Sequence, residues 1–187
     1  MIFLIVALAT NDNNAVPEQV QTDSRNDATR RSNIATDSST VLAENIIAEL
    51  NEARTYLNDD ELPKALSIYD RLSKQGIPEA MFEYGNLALL GSNTLADCKG
   101  AFGLILKAAD KGYTPAKRTA GFLYAFADDA SALEQNNYTR CTFSRNVPEG
   151  SKLLMEAMLE GDTTASKLLD TLNLKNNPGI SPHAAIQ

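Results

Sequence analysis

The hydrophobic pattern repeats along the middle of the chain. Residues 63–76, 99–112 and 148–161 each place apolar or small side chains three and four positions apart and end in Gly. The stripe reads Ala65, Leu66, Tyr69, Leu72 in the first copy and Ala101, Phe102, Ile105, Ala108 in the second. The third keeps Leu154, Ala157 and Met158. This is one face of an amphipathic helix. The closing Gly stands 11 residues after a small residue each time: Ala65 to Gly76, Ala101 to Gly112, Gly150 to Gly161.

The ends of these helices are equally legible. Pro63 and Pro148 sit near the first turn, where a missing N–H costs nothing. Gly76, Gly112 and Gly161 suit the site just past the helix, which adopts positive φ. Lys74 and Lys111 complement the dipole in the last turn. A short turn follows each Gly, then Ala80, Ala116 or Ala165 opens a second helix. Residues 80–90 and 116–127 align, with Gly85 and Gly121 each five residues after the Ala. A mid-helix Gly costs about 1 kcal/mol relative to Ala, so two in register predict close helix approach there. Residues 120–127 are apolar on all sides and predict burial. Phe122 and Phe126 then belong either to the core or to a groove that anchors a partner.

Gly76 and Gly112 are 36 residues apart, whereas Gly112 and Gly161 are 49 apart. The 13 extra residues fall within 128–146. A fixed period of this size marks a repeat architecture. Its best copy, Ala80, Tyr84-Gly85, Gly91, Gly100-Ala101, Ala108-Ala109-Asp110-Lys111-Gly112 and Ala116, resembles the Sel-one-like repeat family, relatives of the tetratricopeptide repeats. The resemblance covers about 49–172; the helix at 41–58 lacks the Gly pair, and the third copy carries the insertion. It implies an all-α fold: a short right-handed α-solenoid of antiparallel helix pairs, about three repeats over 41–174, with atypical end helices.

Outside the repeats the pattern fades. The apolar run at 2–9 is too short for a bilayer core of about 30 Å. It ends in Ala7-Leu8-Ala9, the small-x-small pattern of a signal-peptidase site, although no Lys or Arg precedes it. The alternative is a short apolar terminus packed on the domain. Residues 10–40 are polar, without a sustained period, and read as a disordered linker. Residues 175–187 carry Asn176-Asn177-Pro178-Gly179 and Ser181-Pro182 and read as a flexible tail.

Composition narrows the chemistry. With 17 Lys and Arg against 24 Asp and Glu, the net charge of −7 disfavours nucleic acid. One His and two Cys are too few for most zinc sites, and His183 lies in the tail away from any partner base. No catalytic constellation, metal site or cofactor site is expected, and the chain reads as a non-enzyme. Asp59-Asp60-Glu61 has no EF-hand spacing and reads as a cap for the helix at Pro63. Asp128-Asp129 reads as a turn, and Asn137-Tyr138-Thr139 matches a short glycosylation sequon.

Two expectations concern sites. One register of 49 residues carries Cys98 onto Val147, and Cys141 lies six residues before it on the inserted loop. Adjacent repeats stack, so a Cys98–Cys141 disulfide is expected, with two unpaired thiols the alternative. The bond and the N-terminal pattern together point to a periplasmic or secreted protein. The family resemblance implies an exported bacterial interaction module, an adaptor or regulator that holds a protein or peptide on its concave surface. Glu83, Asn86, Lys117, Arg118 and Phe122 are the candidate contacts, with Lys117 read as exposed. Other readings are an immunity protein against a secreted toxin and a structural subunit of an envelope or flagellar assembly.

Overall fold

A computed structural model of the protein describes residues 23–91 and 97–176, with side chains from 39 to 173. The apolar run at 2–9 and residues 177–187 of the tail lie outside the described residues. The chain divides into two units, Met1–Glu44 and Asn45–Gln187. The described part of the first is helical, with Val41 and Leu42 exposed.

Every regular element among the described residues is a helix, in the order α1 (Asp23–Asn58), α2 (Leu62–Lys74), α3 (Pro78–Leu89), α4 (Cys98–Asp110), α5 (Thr114–Ala125), α6 (Ala130–Gln135), α7 (Val147–Leu159) and α8 (Thr163–Asn176). None is long and apolar enough to cross a membrane. Helix α1 begins at Asp23, inside the stretch read as a linker. Once a helix has nucleated, each added residue gains a hydrogen bond without a new nucleation cost. Ala28, Arg30, Arg31 and Ala35 are good helix formers, so α1 extends beyond its apolar stripe.

The sequence register reappears in the helix boundaries. Helices α2, α4 and α7 are each 13 residues long and begin 36 and then 49 residues apart. Helices α3, α5 and α8 begin at the same two intervals. The second interval is longer because it holds α6 and the loop after it.

Chain reversals after α2, α4 and α7 share one construction. Gly76, Gly112 and Gly161 have φ of 84°, 85° and 95°. Each Gly N–H donates to a carbonyl three residues back, and the next N–H to one five back, as in Ile77 to Leu72 at 3.2 Å. These paired bonds satisfy carbonyls that the helix end leaves open. At the start of α4 the Asp97 side chain accepts from the Gly100 N–H. Asn146 does the same one repeat later for Glu149, at 3.3 Å. The cap expected from Asp59-Asp60-Glu61 is absent, for Glu61 makes no side-chain cap bond. Pro63 removes one of the N–H groups such a cap serves, and the Glu61 carboxylate pairs with Lys64 instead.

Within the second unit, helices pack on their neighbours in chain order: α2 on α3, α3 on α4, α4 on α5, α5 on α7 and α8, and α7 on α8. One apolar cluster joins Leu50 and Ala53 of α1 with Ala65, Tyr69, Leu72 and Ala80. A larger one runs from Met81 to Leu172, with Leu89, Ile105, Leu123 and Leu154 fully buried. The helical glycines allow the closest approaches. A Cβ on Gly85 would stand 2.7 Å from the Ala101 carbonyl oxygen of α4. One repeat on, a Cβ on Gly121 would stand 2.9 Å from the Gly150 carbonyl oxygen of α7.

Equivalent contacts use different chemistry in successive repeats. Phe82 meets Tyr113, ring centroids 5.5 Å apart, whereas the corresponding Arg118 and Asp162 form an ion pair at 2.7 Å. Lys117, expected to be open to solvent, is only 9% exposed. Its stem lies in the interface, and its ammonium reaches Glu160 at 2.5 Å and Glu156 at 3.3 Å. The hydrogen bond to Glu160 is the main cause that raises the Lys117 pKa. Lys117→Ala is therefore expected to cost about 1–2 kcal/mol, from stem packing together with a partly screened ion pair. Lys117→Met, which copies Met81 of the preceding repeat, should recover most of that loss. Urea denaturation of the two variants checks the order.

Candidate functional site

Helices α3 and α5 carry the five residues singled out in the sequence. Glu83 and Asn86 lie on α3; Lys117, Arg118 and Phe122 lie on α5. The 36-residue register places Thr119 where α3 has Glu83, and Phe122 where it has Asn86.

The insertion reaches this face. Asp129 caps α6 by accepting from the Ala132 N–H at 3.0 Å, while Asp128 pairs with Arg145 at 3.0 Å. Asn137, at φ 61°, ends the helix and turns the chain toward α3 and α5. Its side-chain amide belongs to the sequon read from the sequence, but its structural part is this left-handed turn, which Asn tolerates. Tyr138 follows, 8% exposed, and its hydroxyl donates to Asn86 Oδ1 at 2.6 Å. The Tyr138 ring lies 6.2 Å from that of Phe122, which also stacks on Phe126 at 5.4 Å. Arg140 donates to the Ala88 carbonyl at 3.4 Å. Beyond it, Cys141 lies at disulfide distance from Cys98, with Cα atoms 5.7 Å apart. The backbone N–H of Asn146 then donates to the Tyr124 carbonyl at 2.9 Å.

The insertion is thus a strap across α3, α4 and α5. It occupies two of the expected contacts, because Asn86 and Phe122 both face Tyr138. Phe122 is 5% exposed and belongs to the core. Arg118 and Lys117 are committed to α7 and α8 through Asp162, Glu156 and Glu160. Glu83 differs from the other four: no hydrogen bond or ion pair holds it among the described residues. A cavity of about 160 Å³ opens along α5, with Arg118, Thr119, Tyr138 and Leu168 in its lining.

Burial controls the electrostatics around Glu83. Desolvation pushes its carboxyl up, and the Glu79 charge adds to the effect, against a smaller opposing pull from Arg54. Arg54 itself pairs with Glu79. Tyr69 and Tyr113 feel the same surroundings, and burial first, then the Glu79 and Glu83 carboxylates, raise both phenols to about 12. The Tyr69 hydroxyl is buried without a hydrogen-bond partner. Of these groups the half-buried Glu83 carboxylate can receive a hydrogen-bond donor or a cation, whereas the Tyr69 hydroxyl is fully enclosed. The groups contain no nucleophile next to a base, and no cluster of three or more metal-ligating side chains occurs among the described residues.

The shift on Glu83 predicts a pH effect with a definite sign. A carboxyl whose folded pKa lies above its unfolded value loses stability as pH rises past the unfolded value. The loss is complete above the folded pKa and vanishes below the ordinary value of 4.5. Glu83→Gln is therefore expected to raise the melting temperature at neutral pH and to leave it unchanged at about pH 3.5. Paired melts of both proteins at the two pH values check it.

Of the five residues singled out in the sequence, the structure brings Asn86 and Phe122 together at Tyr138 and commits Lys117 and Arg118 to ion pairs; the parts played by Tyr138, Tyr69 and Tyr113 were not foreseen. The signal for Tyr138 was an apolar residue directly after a turn-forming Asn inside the insertion. Comparison with known protein families and with curated proteins finds no match.

Proposed function

We propose that this domain is a protein-interaction module that acts by binding rather than catalysis, built as a short α-solenoid of the Sel-one-like kind. The observation that carries this reading is the half-buried Glu83 carboxylate, held by no hydrogen bond or ion pair among the described residues. Polar groups taken partly out of water without partners cost stability, and a binding partner that supplies donors recovers that cost. Equal helix lengths at 36-residue spacing support the solenoid, which presents such side chains in rows. The Cys98–Cys141 pair is compatible with an exported protein, because disulfides persist in oxidising compartments. The partner then offers Lys or Arg side chains or backbone N–H groups to the α3–α5 face, and the net charge of −7 favours a basic one.

Affinity capture with the intact protein, repeated with Glu83→Lys, tests the reading. A protein held by the wild type and lost with Glu83→Lys is the expected result. Identical capture by both proteins overturns it, provided the variant melts within a few degrees of the wild type.

A further inference from the structure

A second cleft lies away from Glu83, on the face of α4 that the strap crosses after Cys141. Its volume is about 630 Å³, within the range of roughly 300–1,000 Å³ typical of small-molecule sites. Phe102, Leu106, Tyr124 and Phe143, all half-buried, form an apolar bowl. The ring of Phe102 meets Tyr124 at 5.1 Å and Phe143 at 5.6 Å, both edge-on. The Cys98–Cys141 pair anchors the strap that supplies Phe143, so one wall of the cleft is held at disulfide distance from the α4 start.

Gly103 is the unusual residue of the cleft. Gly85, Gly121 and Gly150 lack a side chain because a neighbouring helix leaves no room for one. A Cβ on Gly103 would meet nothing within 4 Å, and its φ is not positive. Neither packing nor backbone geometry requires Gly here, and Gly weakens a helix interior. The equivalent positions of α2 and α7 hold Ser67 and Lys152. What the absent side chain leaves is open floor between Phe102 and Leu106.

Charge at the rim selects the occupant. Lys99 lines the mouth, is exposed, and has no ion-pair partner among the described residues. Thr142 and Ser144 add exposed polar residues to the lining, and no carboxylate lines the cleft. The nearby Asp97 is engaged with the Gly100 N–H as the cap of α4. In a chain of net charge −7, a carboxylate-free bowl with a lysine at its edge is a local reversal of sign.

We infer that this cleft binds a small apolar acid, its hydrocarbon body over Gly103 between Phe102 and Phe143 and its carboxylate at Lys99. This site is independent of the Glu83 face, so either stands if the other fails.

Displacement of anilinonaphthalene sulfonate from the oxidised full-length protein tests the inference, with decanoate, decanol and decyltrimethylammonium as competitors. Decanoate is expected to displace the dye at concentrations at least about tenfold below those of the other two. Gly103→Leu should weaken decanoate by about tenfold or more while its melting temperature equals or exceeds that of the wild type, since Leu is the better helix former. Lys99→Glu should weaken decanoate and leave decanol unchanged. Equal displacement by all three competitors overturns the inference, as does wild-type decanoate affinity in a folded Gly103→Leu protein. Should Gly103→Leu fail to fold, the decanoate-to-decanol ratio of Lys99→Glu decides the matter, and an unchanged ratio overturns it.

Discussion

Gly121→Leu and Gly150→Leu are each expected to destabilise the domain by about 3 kcal/mol, at the upper end of overpacking effects. Helices α5 and α7 touch through backbone at this point. A Cβ on Gly121 would stand 2.8 Å from Leu154 Cγ and 2.9 Å from the Gly150 oxygen. A Cβ on Gly150 would stand 2.8 Å from both the Ala125 nitrogen and the Gly121 oxygen. A side-chain neighbour can rotate away; a backbone neighbour moves only if its whole helix moves. That shift would open the packing around Leu123, Leu154 and Ala157, all fully buried. For a domain of this size the loss corresponds to a fall of about 10 °C in melting temperature. Even Gly150→Ala should be felt, because the conflict begins at Cβ. A Gly121→Leu protein that melts within about 2 °C of the wild type would show that the helices are not in this contact.

The same contact shows where the sequence was readable. Gly85 and Gly121 announced themselves by recurring one register apart inside helices, where Gly has a cost and hence a reason. Their partners were harder to see. Ala101 looked like an ordinary small core residue, and Gly150 like its aligned equivalent, although the two are the surfaces on which Gly85 and Gly121 rest. Local signals therefore specified helices, turns and caps well: Gly76, Gly112 and Gly161 have the positive φ that their position demanded. Asp59-Asp60-Glu61 shows the limit of such signals, since cap-forming residues preceded a helix whose Pro63 left less for them to cap. Side-chain fates that depend on the next repeat were not readable. Lys117 looked exposed because lysine usually is, yet its stem is enclosed by α7, and the carboxylates that receive it lie 39 and 43 residues further on. The strap was visible only as surplus length. That Tyr138 would reach Asn86, 52 residues earlier, is a property of the folded chain and has no local signature.

Removing the bond between Cys98 and Cys141 is expected to cost about 2–4 kcal/mol. The sequence separation is 43 residues, and closing a loop of that length limits the unfolded chain by about 4 kcal/mol on the chain-entropy argument. The double variant Cys98→Ala, Cys141→Ala is the suitable one. Cys141 is 5% exposed, and Ser there would bury a hydroxyl that has to find a partner. The loss is expected to be global rather than confined to the strap, because the closed loop includes α4, α5 and α6, which contribute Ile105, Leu123 and Leu133 to the larger core cluster. Tyr138→Phe provides the contrast. It removes the hydroxyl's bonds to Asn86 and Thr119 and should cost about 1–2 kcal/mol, since the ring keeps its place beside Phe122. Denaturant melts of the oxidised, reduced and double-variant proteins compare these effects, and the reduced wild type should match the double variant. Thiol titration of the denatured, unreduced protein comes first. No free thiols is the expected count, and two would remove both the loop-closure stabilisation and the support that the bond lends to an oxidising location.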